Sequence, residues 1–211
     1  MNIFVSGIDT GVGKTIVSAI LCEALYADYW KPVQSGNLSQ SDTQTVRKLI
    51  TNPHTVLHPE AWRLKLPASP HKAARAEKKI IRLHHIRMPQ TSRYLIIEGA
   101  GGLLVPLNHS QLIIDLIQRW NIPVILVSRN YLGSINHTLL SAEALKSRGI
   151  RTLGIIFNGS PDPENERVII KMSGMPCIGR IRPHRVLTRR IIASYAAQFR
   201  PGLLTVIRRK S

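Results

Sequence analysis

Residues 7–15 read Gly7-Ile8-Asp9-Thr10-Gly11-Val12-Gly13-Lys14-Thr15. The apolar run Ile3–Ser6 precedes them, and the helical pattern Lys14–Tyr26 follows. A glycine-rich turn between a strand and a helix can aim several backbone N–H groups at one point. The dipole of the following helix adds positive potential there. A phosphate chain is what such a turn encloses. Lys14 is then set to reach the outer phosphates as a point charge, and the Thr15 hydroxyl to bind Mg²⁺. The spacing departs from the common form: counting back from Gly13 puts Ile8 at the first glycine position, with Gly7 one residue early. Gly11, Gly13, Lys14 and Thr15 in this setting make an ordinary glycine turn the weaker reading.

Outward from the loop, short apolar runs alternate with longer helical patterns. The runs are Ile3–Ser6, Tyr29–Val33, Tyr94–Glu98, Val124–Ser128, Thr152–Phe157 and Cys177–Ile181. The helical patterns are Lys14–Tyr26, Asp42–Ile50, Ile113–Trp120, Ile135–Arg148 and Asn165–Met172. The runs are rich in Val, Ile and Leu and do not alternate with polar residues, as strands covered on both faces do. The fold class expected is α/β: one three-layer domain spanning residues 1–211, with a mostly parallel sheet and helices on both faces. Residues 52–89 hold Pro53, Pro59, Pro67 and Pro70 with several histidines, and read as a long connection with a short helix at Ala73–Lys78. Residues 183–211 form a basic segment without an assigned role.

The 211 residues are 44% hydrophobic and 19% charged, a globular composition. No apolar stretch nears the roughly 20 residues of a membrane-spanning helix, and the first residues carry no basic lead or long apolar block of a secretion signal. Cys22 and Cys177 are the two cysteines, expected as buried free thiols in a cytoplasmic protein. The net charge of +17 raises the question of nucleic acid. The basic residues are scattered, apart from a tail with Arg208, Arg209 and Lys210, and aromatics are only 5%, so stacking platforms are scarce. A basic surface that attracts anionic nucleotides, or is simply solvated, is the preferred reading. The eight histidines, including the adjacent His84-His85, make no zinc pattern.

Two further signals sit at strand ends. Trp30-Lys31-Pro32-Val33-Gln34-Ser35-Gly36 sets a lysine and a small hydroxyl where open α/β sheets bind ligands. On spacing alone this is equally a surface lysine and a plain turn. Ser41-Asp42 opens a helix, so Asp42 reads as a helix-start carboxylate or as a ligand. Tyr94-Leu95-Ile96-Ile97-Glu98-Gly99-Ala100-Gly101-Gly102 ends an apolar strand in an acid and glycines, either a tight turn or the carboxylate that helps hold Mg²⁺ beside a phosphate loop. Thr15, Asp42 and Glu98 together make three hard oxygen donors, a set that suits Mg²⁺.

In this order, Gly7–Thr15, Lys31–Gly36, Ser41-Asp42, Ser69-Pro70-His71 and Glu98–Gly102 resemble the dethiobiotin synthases, within the phosphate-loop NTPase superfamily. The likeness continues through Pro123–Val127, Leu132–His137, Gly154–Asn158 and Gly179–Ile181 to about residue 183. It implies a homodimer that joins 7,8-diaminononanoate and carbon dioxide (or bicarbonate) with ATP, through a carbamate and a carbamic–phosphoric anhydride, in biotin synthesis. It implies Lys14, Lys31, Thr10 and Ser35 around the reacting groups. It implies nucleotide contacts from Asp9, Gly11, Val12, Gly13, Lys14, Thr15, Ile16, Glu98 and Gly101, with Asn158 on the adenine edge. Substrate contacts would come from Thr10, Lys31, Ser35, Gly102 and, reaching from the partner subunit, Asn136. Read as residues alone, Asn136 is also a helix-start amide and Asn158 a turn residue after a strand.

Two alternatives stand beside this. Other amide- or ring-forming ATPases of this fold carry a glutaminase domain, for which the chain is short. A nucleotide-switched protein on DNA or membrane would use a lysine just after the first glycine position, as chromosome-partition and septum-site ATPases do; here that residue is Asp9.

Overall fold

The computed structural model describes residues 1–208; Arg209, Lys210 and Ser211 of the basic tail lie outside the described residues. In chain order the larger elements begin with β1 (Asn2–Gly7), α1 (Lys14–Leu25), β2 (Asp28–Trp30), β3 (Val33–Ser35) and α2 (Asp42–Leu49). Then come β4 (Leu57–His58), β5 (Trp62–Leu64), α3 (Pro70–Ala76), β6 (Leu95–Gly102) and α4 (Ile113–Trp120). The last are β7 (Val124–Arg129), α5 (Ser134–Ser147), β8 (Thr152–Asn158), α6 (Pro163–Ser173), β9 (Cys177–Ile181) and α7 (Arg189–Arg208).

Seven strands form one sheet in the order β4-β2-β6-β1-β7-β8-β9, and every adjacent pair is parallel. The apolar runs fill both faces. Phe4, Leu95, Ile97, Leu126, Ile155 and Phe157 join a core with α3, α4, α5 and α6. Their neighbours Ile3, Val5, Ile96, Ile125, Val127 and Ile156 join the core under α1, α2 and α7. Alternation along a strand sends successive side chains to opposite faces, so unbroken apolar runs require a helical layer on each side. The three-layer α/β class read from the sequence is the one observed.

Local signals set the helix ends. Ser41 caps α2 by accepting from Gln44 N at 3.3 Å, and Asp162 caps α6 by accepting from Asn165 N at 3.1 Å. Asp115 reaches back to Leu112 N at 2.7 Å to start α4. Gly174 ends α6 with φ of 69°.

Three expectations are corrected. The run Tyr29–Val33 is not one strand. Pro32 has no N–H for a sheet ladder, and the chain breaks there; β2 stays in the main sheet, while β3 pairs in parallel with β5 as a separate ribbon. Residues 52–89 hold β4, β5 and α3 rather than one short helix in a long connection, and that helix starts earlier, at Pro70. The basic segment from residue 183 contains α7, whose buried stripe Ile192, Ala196, Phe199 and Leu203 joins the core formed with α1. Pro201 and Gly202 inside the helix hide that stripe from a propensity reading. Phe199 lies against Gly179, where an added Cβ would fall 2.2 Å from the ring. Of the two free cysteines, Cys22 is buried as expected, but Cys177 is only half-buried.

At the end of the sheet away from the glycine loop, Asp28 is 2% exposed and ties three segments together. Its carboxylate accepts from Val56 N at 2.9 Å, Thr91 Oγ1 at 2.6 Å and Arg93 Nη1 at 3.4 Å. Burial alone would raise its pKa, but the bonds from Thr91, Val56 and Arg93 outweigh that and hold it below the usual value. Asp28→Asn is expected to lose about 2 kcal/mol at pH 7, a fall in Tm of roughly 4–8 °C for a chain of this size. A folded pKa below the unfolded value of about 3.9 means the contribution is complete above that pH and fades as pH drops through the folded pKa. The stability gap between parent and variant should therefore close below about pH 4. Thermal unfolding from pH 7 to 3 checks this; a constant gap would refute it.

Candidate active site

The loop after β1 folds as its glycines require. Gly11 (φ 74°) and Gly13 (φ 99°) both take left-handed backbone, which residues with a Cβ resist. Gly13 is the cap of α1, so the first N–H groups of that helix open onto the loop. Asn158, at the end of β8, donates from Nδ2 to Val12 O at 2.9 Å and pins the loop from outside. A Cβ on Gly13 would stand 2.2 Å from that nitrogen, so glycine is needed there for close approach as well as for φ.

A cavity of about 630 Å³ opens beside the loop. Thr10, Gly11, Gly13, Lys14, Thr15 and Ile16 line it from the loop and α1. Lys31, Ser35, Asp42, Glu98 and Gly101 line it from the ends of β2, β3 and β6 and the start of α2. Parallel strands put all these ends on one edge of the sheet, which is why residues far apart in sequence meet. Ser69 and Pro70 close one side; His71 does not line the cavity, and its amide N donates to Pro106 O at 3.3 Å.

Charge gathers at the cavity floor. Glu98, 1% exposed, accepts at Oε1 from Thr15 Oγ1 at 2.9 Å and from Lys31 Nζ at 3.0 Å. Asp42 lies against the same two groups, Thr15 Oγ1 at 2.9 Å and Lys31 Nζ at 2.5 Å, so the single Thr15 hydroxyl proton is shared between the two carboxylates. Lys14 folds back over the loop, donating to Asp9 O at 2.9 Å. The two lysines are tuned apart. Burial lowers Lys14 to about 8, opposed by the charge of Glu98 and aided by that of Lys31. Burial also acts to lower Lys31, but Glu98 and Asp42 overcome it and raise its pKa above the ordinary value. Lys31 is therefore a fixed cation and not a base. Asp42 is held below its usual range: burial would raise it, and Lys31 and Thr15 prevail.

The donor set fits a magnesium ion. Thr15, Asp42 and Glu98 bring hard oxygens to one point, and Mg²⁺ takes few protein ligands, leaving sites for water and phosphate. Ser35 Oγ, also at the cavity, is buried and makes no hydrogen bond, so it is free to bind a ligand.

Other residues named from the sequence fall outside the cavity wall. Asp9 and Val12 lie on the far side of the loop in a smaller cleft with Arg129 and Tyr131. Gly102 faces a further hollow, with Ile8, Leu104 and His137. Asn158 uses its amide group on the loop. Asn136 is exposed on α5, in a groove with Leu140, Lys146 and Met172, so it does not meet the loop within one chain.

Two residues escaped the sequence reading. Tyr29, fully buried on β2, donates to Glu98 Oε2 at 2.8 Å. Gln34 accepts from Asp42 N at 3.3 Å and donates to Gly36 O at 3.0 Å, bridging the β3 turn and α2. Gln34 lies inside the quoted Lys31–Gly36 stretch and could have been marked there; Tyr29 carries no signal beyond an aromatic in a strand.

The glycine argument predicts unequal costs. Gly11→Ala meets open space and should lose about 1–2 kcal/mol for left-handed backbone alone. Gly13→Ala must also displace Asn158 and should lose about 1–2 kcal/mol more. Chemical denaturation of both variants measures the difference; equal losses would contradict the packing claim.

A family model described as an AAA domain matches residues 1–190. The solved ParA family ATPase of Chlorobium tepidum shares the fold, with a TM-score of 0.58 at 13% identity over 92% of this chain and 97% of that one. The septum site-determining protein MinD of Pyrococcus horikoshii, complexed with Mg-ADP, has a TM-score of 0.56 at 17% identity, over 98% and 93% of the two chains. Curated relatives are nearer. The ATP-dependent dethiobiotin synthetase BioD of Christiangramia forsetii is 49% identical, covering 96% of this chain and 98% of its own. That of Cytophaga hutchinsonii is 50% identical over 92% and 95%, and that of Chlamydia pneumoniae 47% over 94% and 89%. With close to half its residues shared along almost its whole length, the chain belongs to the ATP-dependent dethiobiotin synthetase family.

Proposed function

We propose that this chain is an ATP-dependent cyclo-ligase that closes 7,8-diaminononanoate and carbon dioxide to dethiobiotin in the cytoplasm. The observation that carries the reading is Lys31, a second buried cation held by Asp42 and Glu98 opposite Lys14. A nucleotide-binding loop needs only Lys14; a second fixed cation at the same cavity suits an anionic acceptor next to the phosphate.

One amine of the substrate takes up carbon dioxide and loses a proton, giving a carbamate. The carbamate oxygen displaces ADP at the γ-phosphorus. The second amine then attacks the carbamoyl carbon, releasing phosphate and a proton as the ring closes. The protein's part is positioning and charge balance, which dominate phosphoryl transfer. Backbone N–H groups of Gly11, Val12 and Gly13 and the side chain of Lys14 hold the phosphates. Lys31 stays protonated and offsets charge on the carbamate and the transferring group. Thr10 and the unpartnered Ser35 hydroxyl fix the carbamate. Thr15, Asp42 and Glu98 would hold Mg²⁺, which would supply charge neutralisation at phosphate oxygens. Ile16 and Gly101 line the nucleotide cavity, Asn158 and Asp9 brace the loop through Val12 O and Lys14 Nζ, and Gly102 shapes the substrate side.

We assign the active form as a homodimer. Leu140 on α5 and Met172 on α6 leave exposed apolar surface in the groove that also holds Asn136. A second copy set on that surface would cover it and bring Asn136 toward the neighbour's substrate.

Phosphate release with ATP, Mg²⁺, bicarbonate and diaminononanoate, each omitted in turn, tests the reaction; release independent of the diamine would refute it. Lys31→Ala should bind nucleotide within about threefold of the parent yet lose about 10²–10³ in kcat. Calorimetry and turnover separate the two effects, and full activity would remove Lys31 from the mechanism. Mixing inactive Lys31→Ala and Asn136→Ala chains should restore about a quarter of parental activity, since half the random dimers hold one intact site. A mixture as inactive as its components would remove the shared site.

A further inference from the structure

We infer that Tyr29 is a positioning residue for Glu98, fixing the carboxylate that organises Thr15 and Lys31; this rests on the reading of Glu98 as part of the metal and phosphate site. Tyr29 pairs with Ile96 across the β2–β6 ladder, and Glu98 lies two residues further along β6. Positions two apart share a face of the sheet. From the depth of Ile96 only a long side chain reaches two residues along the strand, and the phenol does so, with its hydroxyl 2.8 Å from Glu98 Oε2. The other oxygen, Oε1, takes Thr15 and Lys31. The two ends of the carboxylate are thus assigned different partners.

That division matters because the terminal torsion of a glutamate is otherwise soft. Glu98 is 1% exposed and Tyr29 is fully buried, so water does not readily replace a lost phenol donor. Without it, Oε2 would turn toward the remaining donors, Thr15 and Lys31. Asp42 shares both of those donors, so the disturbance would pass to it as well. Tyr29 is not part of the cavity wall, and its hydroxyl meets the site through Glu98.

The test compares Tyr29→Phe with Ile96→Val, which removes one methylene from the same packed region without touching Glu98. A non-hydrolysable ATP analogue is titrated into each protein by calorimetry, once with MgCl₂ and once with EDTA. The ratio of the two dissociation constants reports the metal's share of binding. In Tyr29→Phe that ratio should fall about tenfold, and kcat by a similar factor, the size typical when a residue behind a metal ligand is lost. Ile96→Val should lower Tm and leave the ratio as in the parent. In a Glu98→Gln background, Tyr29→Phe should change the ratio no further, because the pair acts as a unit. A ratio unchanged in Tyr29→Phe, with only Tm reduced, would overturn the inference and leave Tyr29 as packing. The titration needs no diamine, so failure of the ring-closing reaction and failure of the Tyr29 role give separate signatures.

Discussion

The site depends on one buried carboxylate. Glu98 has almost no contact with solvent, and such a charge survives only when donors surround it. Thr15 from α1, Lys31 after β2 and Tyr29 within β2 meet that demand. Three segments of chain are thereby drawn to the end of β6. Removing a single donor would leave the carboxylate less fully satisfied, so the three segments are coupled through it.

The parallel sheet makes this possible. β6 is flanked by β1 and β2, so its end lies between the glycine loop and the Lys31 turn. Apolar cores on both faces hold the three strands in register, and the glycines at the loop let the backbone close over the cavity. The break at Pro32 also serves the site. It releases β3 from the main sheet to pair with β5, and so carries Gln34 and Ser35 across the cavity from Lys14. A continuous strand from Tyr29 to Val33 would have kept them in the sheet plane.

The electrostatics divide the labour between the lysines. Lys14 rests on the Asp9 carbonyl rather than on a paired carboxylate, so burial dominates and its pKa falls to about 8. Lys31 is as deeply placed but paired twice, so its charge is secured. The repulsion between the two cations is a lesser influence on Lys14 than burial. The net charge of +17 is a separate matter, spread over the surface rather than concentrated in this cluster.

Much of this was legible in the sequence. The strand–loop–helix order, the glycines and Lys14-Thr15 announced an anion-binding turn, because backbone conformation and helix dipoles are local properties. Unbroken apolar runs announced a covered parallel sheet for the same reason. Lys31, Asp42 and Glu98 were only possible members of a site, each with an ordinary reading beside it, until the fold brought both carboxylates within 3.0 Å of the Lys31 ammonium. Tyr29 was invisible, since its role is a hydrogen bond to a residue 69 positions away. Helix α7 was missed because its stripe is interrupted by Pro201 and Gly202 and has meaning only against α1. Sequence alone determined the elements and the loop, which depend on neighbours along the chain; tertiary structure decided which charges meet, because burial and pairing depend on neighbours in space.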